Sequence, residues 1–265
     1  MISVSKSFLP DQNLTDVQFW DDYWSHYSLP CRVNLSNSFD RCLARALKES
    51  LSDRQYETVL EVGCAPGKWL AFLHRELGLL PSGIEYSRIG LDVTKKNFDM
   101  LGIKYDSLWE GNFLELPVKE QFGVVLSLGF VEHFIDARSI IKRHIEWLKP
   151  DGLLVIGIPN FKGIYKHLQA VLDMSILEKH NLDIMELSYF KNIASEYGLS
   201  VKQIGYIGSF EPFLPIPKPG ISDVFQFGVK VFLRVSAYVR KLRILDHINN
   251  RFLSSYILAV YQKLA

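Results

Sequence analysis

An α/β fold with a doubly wound, mostly parallel seven-stranded sheet is predicted by three observations. Runs rich in β-formers alternate with stretches of helical spacing from Thr58 to Ile158. A turn carrying two glycines, Gly63 and Gly67, joins the first such strand to the first such helix. A continuous apolar run, Phe122 to Leu128, suits a central strand buried on both faces.

The elements follow in order. Phe19, Trp20, Tyr23, Trp24, Tyr27 and Pro30 are interleaved with acids between Asp16 and Asn37, a composition that fits either a docked helical lid or plain packing of a helix on the domain. Phe39, Leu43, Ala46 and Leu47 recur at spacings of three and four, giving an amphipathic helix over 38–51. Thr58 to Val62 is the first strand and Trp69 to Leu77 the helix after it. Ser82 to Tyr86 reads as a strand, Ile89 to Leu101 as a helix, and Ser107 to Gly111 as a short strand. Beyond Phe122 to Leu128, residues Ile135 to Leu148 are helical, and Pro150-Asp151-Gly152 turns into a strand over Leu153 to Ile158. A helix over Met185 to Tyr197, a strand over Ser200 to Gly208 and a last β-rich run over Tyr256 to Tyr261 complete the pattern. The expected layout is a single unit: an aromatic lid over 1–37, a core over 38–212, a helical insertion over 213–254 and a final strand over 255–265.

Composition narrows the function. A chain of 265 residues that is 48% hydrophobic suits one large α/β domain. A formal charge of +1 gives no broad basic face for nucleic acid. Cys31, Cys42 and Cys64 form no Cys-x-x-Cys pair, and neither a secretion-signal pattern nor a bilayer-length apolar run is present, so a cytoplasmic location is expected. Between Ile221 and Leu253, six basic residues face only Asp223 and Asp246 among interleaved apolar ones. That segment fits a peripheral contact with the inner face of a membrane, or equally a helical cap or dimer contact.

The informative string is Glu61-Val62-Gly63-Cys64-Ala65-Pro66-Gly67-Lys68-Trp69. Glycines at its turn let backbone approach a ligand at the N-terminus of the next helix. A dinucleotide fingerprint would require glycines at 65 and 68, where this chain has Ala65 and Lys68. The string instead resembles the E/D-x-G-x-x-x-G motif of class I S-adenosylmethionine-dependent methyltransferases. That resemblance implies a Rossmann-like fold and S-adenosylmethionine as cofactor, held at Glu61, Gly63, Cys64, Ala65, Pro66 and Gly67. Glu85, twenty-four positions after Glu61, lies where an acid reaches a ribose, with Tyr86 beside it. By the same resemblance, Asn112 and Phe113 would flank adenine, and Leu128 and Gly129 would run beneath the methionine portion of the cofactor.

The methyl group is supplied activated by the cofactor, so the protein chiefly positions an acceptor and helps remove its proton. His133, following the central strand, is the candidate base, or else caps its loop or contacts cofactor. Glu132, Tyr23, Trp24, Asn160, Phe161 and His180 are candidates for the acceptor pocket. Some related methyltransferases carry a Glu-x-x-Glu-His metal arrangement; Gly129 stands where its first glutamate would be, so no metal is expected. The layout also resembles bacterial glycan and small-molecule O-methyltransferases, which implies a sugar or other small-molecule hydroxyl in glycan, glycolipid or secondary metabolism. Ubiquinone-type phenols, and a non-catalytic cofactor-binding scaffold, are the alternatives. The Asn/Asp-Pro-Pro-aromatic motif of nucleic-acid methyltransferases is missing from Ser127-Leu128-Gly129-Phe130.

Overall fold

The computed structural model describes residues 13–52, 56–118, 121–208, 211, 238, 241 and 243–264. Its seven strands are β1 (Thr58–Val62), β2 (Leu80–Glu85), β3 (Ser107–Glu110), β4 (Phe122–Leu128), β5 (Leu148–Pro159), β6 (Leu199–Ile207) and β7 (Tyr256–Lys263). They form one sheet in the order β3-β2-β1-β4-β5-β7-β6. Strands β1 to β5 are parallel, while β7 runs antiparallel between β5 and β6. The order reverses between β1 and β4, which opens a crevice at their carboxyl ends, the place where doubly wound sheets bind ligands.

Period-two alternation sorts strand side chains onto two faces. Leu60, Val62, Val125, Leu154, Ile156, Ile257 and Ala259 meet one helical layer, while Val59, Val124, Leu126, Val155, Leu258 and Val260 meet the other. The second layer is α2 (Ser38–Leu51), α3 (Lys68–Leu77) and α4 (Arg88–Leu101). The first is α5 (Ala137–Glu146), α6 (Ile164–Leu172), α7 (Met174–Glu178) and α8 (Leu187–Glu196). Both faces of the central strands are therefore dry, as the unbroken apolar run of β4 requires.

Two local readings are revised. Pro150-Asp151-Gly152 falls within the span of β5, where it interrupts the pairing: Phe122 pairs with Leu148, and the register resumes at Val124 with Leu153. Asp151 takes a φ of 60° there. Helices α6 and α7 stand where no helix is predicted; α7 is only five residues long and is held by the Asp173 cap and by burial of Ile176 and Leu177.

The aromatic N-terminal segment forms a docked helix over its described part. Asp16 caps α1 (Val17–Ser25), accepting from the Phe19 N–H, and the helix lies along α4. Trp24 fills a notch over Gly90, where a Cβ would come within 2.7 Å of the indole. Asp21 meets the Ser87 hydroxyl at 2.5 Å, and Asn97 exchanges two hydrogen bonds with the main chain of Cys31. At its start, the Leu14 N–H donates to the carbonyl of His133 at 2.8 Å. Trp24→Ala is expected to release this helix, costing about 3 kcal/mol of docking. Limited proteolysis should then cut near residues 17–25 in a chain whose sheet stays intact; unchanged resistance would show that the other ties suffice.

Most of the predicted insertion, 213–254, and of the basic segment 221–253 lies outside the described residues. Its described end forms a 3₁₀ turn, Arg243–His247, anchored on α2: Asp246 meets Arg41 at 2.6 Å and accepts from the Ser38 hydroxyl at 2.9 Å. Among the described residues no helix is long and apolar enough to cross a membrane.

Candidate active site

A cavity of about 370 Å³ opens at the carboxyl ends of the central strands and is roofed by α1. Its floor begins at the turn after β1. Gly63 has a φ of 71°, and a Cβ there would lie 3.0 Å from the Phe130 ring, so only glycine fits without strain. Gly67, with a φ of 78°, caps α3; a Cβ on it would meet Phe98 at 2.6 Å and Thr94 at 2.9 Å. Ala65 and Gly63 line the cavity, whereas Cys64, Pro66 and Gly67 do not.

The reason is the alternating direction of the turn. The Cys64 thiol packs on Gly83, where a Cβ would come within 2.6 Å of its sulfur, and burial raises its pKa well above the ordinary value. The Pro66 carbonyl accepts from Asn97, and Gly67 serves the helix start. These three shape the turn and are not part of the cavity wall. Glu61 likewise stays off the wall: it is buried with one carboxyl oxygen unpartnered, and its pKa is driven well up by burial and by the charge of Glu85.

Glu85 ends β2 and does face the cavity. One carboxylate oxygen accepts from the Ala65 N–H at 3.1 Å and the other from the Ser87 N–H at 3.0 Å. A carboxylate has about four lone-pair sites, so acceptor capacity remains for a hydroxyl presented from the cavity. Burial raises its pKa to about 7, tempered by those N–H donors. Tyr86, Asn112 and Phe113 continue the wall, and Leu128 and Gly129 lie across the crevice. Asn112 is itself held by its loop, accepting from Leu114 N–H and donating to Glu115.

The far end carries Glu132, His133 and His180. His133 lies in a 3₁₀ turn after β4, and its Nδ1 stands 2.8 Å from the Lys179 carbonyl; since a carbonyl only accepts, Nδ1 bears the proton and Nε2 is left as the acceptor. Trp20 packs edge-on against this ring at 5.0 Å, and His180 lies 4.6 Å away. Burial and the neighbouring His180 push the His133 pKa down to about 3. His133 is therefore neutral, with its Nε2 turned toward the cavity as a hydrogen-bond acceptor. Glu132, fully buried, is raised to about 8 by desolvation.

Asn160 and Phe161 do not line the cavity. The Asn160 amide donates to the carbonyls of Arg251 and Ser254, fastening the end of β5 to the segment entering β7. Phe161 is core and braces His180 edge-on at 4.8 Å. Tyr23 and Trp24 do line it, from the lid. Sequence reasoning missed Trp69, Phe39, Phe130, Phe134 and Tyr256 as wall residues. Tyr256 is placed by the sheet order alone: it pairs with Pro159, and its ring occupies the space that a Cβ on Gly157 would take.

The strand order, the glycine turn and an acid ending β2 define a class I methyltransferase, whose cofactor is S-adenosylmethionine. The family described as "Methyltransferase domain" matches residues 33–204, and the chain belongs to it. A ubiquinone biosynthesis O-methyltransferase of Bradyrhizobium diazoefficiens is 31% identical over 102 residues, 38% of this chain and 40% of that protein. One of the same name from Ruegeria pomeroyi is 25% identical over 171 residues, covering 60% of this chain and 65% of its own length. The matches thus span less than two thirds of either relative. The N-methyltransferase NodS of Bradyrhizobium japonicum WM9, solved with S-adenosyl-L-homocysteine, shares the fold at a TM-score of 0.57 and 15% identity, covering 94% of this chain and 99% of its own.

Proposed function

We propose that this methyltransferase transfers the methyl group to a hydroxyl on a small aromatic acceptor, a phenol in preference to a sugar. Gly63, Ala65, Glu85, Tyr86, Asn112, Phe113, Leu128 and Gly129 would hold the cofactor. The fit is supported by the side-chain-free surface at Gly63 and by the acceptor capacity left on Glu85. The cofactor brings a methyl group on a sulfonium, and aromatic faces such as those of Tyr23 and Trp24 attract such a charge.

The observation that carries the acceptor reading is the contrast between the walls and the end of the cavity. Phe19, Trp20 and Phe134 supply ring faces, while the end of the cavity is polar, with His133 and His180 turning free Nε2 acceptors toward it beside the Glu132 carboxyl. A phenol presents one ring to the former and an O–H donor to the latter. A sugar would set several hydroxyls against apolar rings and leave them unpaired, at roughly 1–3 kcal/mol for each one buried. The relatives named as ubiquinone biosynthesis O-methyltransferases agree with the phenol reading.

Isothermal titration with S-adenosylhomocysteine is expected to show micromolar binding that Gly63→Arg abolishes while the circular dichroism spectrum keeps its shape. A panel of phenols and sugars incubated with S-adenosylmethionine should then gain methyl mass among the phenols. Methylation confined to sugars would reverse the acceptor reading, and a folded wild type that binds no cofactor product would remove its basis.

A further inference from the structure

We propose that Glu132, His133 and His180 together bind a divalent transition-metal ion at the acceptor end of the cavity. One donor atom from each lies within 4.8 Å of the other two, and among the described residues this is the one such group of three. They come from separate elements: Glu132 and His133 from the turn after β4, His180 from just beyond α7. The sequence shows the adjacent pair Glu132-His133, but only the fold brings His180 to it.

The hydrogen bonds around it are those a ligand set needs. Nδ1 of His133 is spent on the Lys179 carbonyl at 2.8 Å, and Nδ1 of His180 on the Ile176 carbonyl at 2.7 Å. Each ring is thereby fixed in the tautomer that leaves an Nε2 lone pair for a cation. The second carboxyl oxygen of Glu132 is fully buried with no hydrogen-bond partner, although the residue is only 1% exposed. The free Nε2 atoms of two imidazoles and a carboxyl converge on one buried point, and a cation there would hold the carboxyl ionised and use all three as ligands. His133 Nε2 and Glu132 Oε1 stand 3.8 Å apart, close to the ~3.4 Å that two ligands of one tetrahedral ion keep at bond lengths of about 2.1 Å.

Donor chemistry selects the ion. Two imidazoles and one carboxylate suit zinc, cobalt, nickel, iron or manganese, whereas magnesium and calcium prefer oxygen throughout. Three protein ligands leave positions open toward the cavity that all three residues line. A hydroxyl reaching the ion there would lose its proton more readily. The binding claim stands on the geometry, and only this role rests on the hydroxyl-acceptor reading above.

The test uses the full chain, stripped with a chelator and titrated with Co²⁺ and with Zn²⁺. About one equivalent per chain is expected by elemental analysis, with visible Co²⁺ absorption of a low-coordinate nitrogen–oxygen site. His180→Gln and Glu132→Gln should each weaken uptake by about 100-fold, while still binding S-adenosylhomocysteine as the wild type does. A wild type that binds S-adenosylhomocysteine but takes up no ion overturns the proposal. So does uptake that neither variant changes, because the ion would then sit elsewhere. Loss of S-adenosylhomocysteine binding with intact metal uptake would instead count against the cofactor assignment.

Discussion

Replacing Glu85 with glutamine is expected to weaken S-adenosylhomocysteine binding about 100-fold at pH 8 and, at the same pH, to make the cofactor-free protein relatively more stable. The two effects share one cause. Glu85 is buried at the end of β2 with a pKa of about 7, against 4.5 for an ordinary glutamate, because desolvation outweighs the Ala65 and Ser87 N–H donors. Its neighbours do not relieve it: Asp21 and Glu61 are acids and Cys64 is a buried thiol. A folded pKa above the unfolded one means that no penalty exists below about pH 4.5. The penalty grows as pH rises to 7 and is then constant, on the order of 3 kcal/mol.

Glutamine carries no such penalty, so the difference in stability between variant and wild type should shift in the variant's favour from pH 5 to pH 8. In a chain of this size that is a relative shift in Tm of roughly 6–12 °C. The loss of one N–H bond to the amide offsets part of the gain equally at both pH values and leaves the shift intact. A difference in Tm that does not move with pH would mean that Glu85 titrates as an exposed carboxyl does. Binding runs the other way. Hydroxyl hydrogen bonds to a buried carboxylate are worth about 1.5–3 kcal/mol each, and the amide accepts them less well. Wild-type affinity should itself decline below pH 7 as Glu85 takes up a proton. On the proposed function, Glu85 would cost stability in the free protein and add affinity in the complex.

How much of this could be read from the sequence depends on the range of the interactions involved. The strand-and-turn grammar is local, so the limits of α2 and β4 agree between reading and structure, and Glu85, Tyr86, Asn112, Phe113, Leu128 and Gly129 all reach the cavity because strand ends converge there. Side-chain direction within the glycine turn was not legible. Cys64, Pro66 and Gly67 belong to the same string as Gly63 and Ala65, yet the Cys64 thiol packs on Gly83, the Pro66 carbonyl accepts from Asn97, and Gly67 lies tight against Phe98. The meeting of His133 with His180, and the arrival of Tyr256 beside Gly157, depend on packing between distant segments. Asn160 shows the converse. A polar residue after a central strand looks like a site residue, but here it is a clasp for the chain returning to β7.

Gly67→Ala should destabilise the protein far more than Gly78→Ala, though both glycines flank the same helix and both sit in the left-handed region, at φ of 78° and 71°. Backbone strain alone costs roughly 1–2 kcal/mol at each. At Gly78 nothing lies within 4 Å of the added methyl, so strain is the whole effect. At Gly67 the methyl would come within 2.6 Å of Phe98 and 2.9 Å of Thr94, both fully buried on α4. Neither can swing into solvent, and α4 must shift. Overpacking of this kind adds about 1–3 kcal/mol, for a total of about 2–5 kcal/mol and a fall in Tm near 10 °C. Because α4 also carries the notch at Gly90 that seats Trp24, the shift should reach the lid. Protease sensitivity over residues 17–25 is then expected to rise in Gly67→Ala and to stay at the wild-type level in Gly78→Ala. Equal melting points for the two variants would mean that α4 yields without resistance, and that the glycine is required only for its backbone angle.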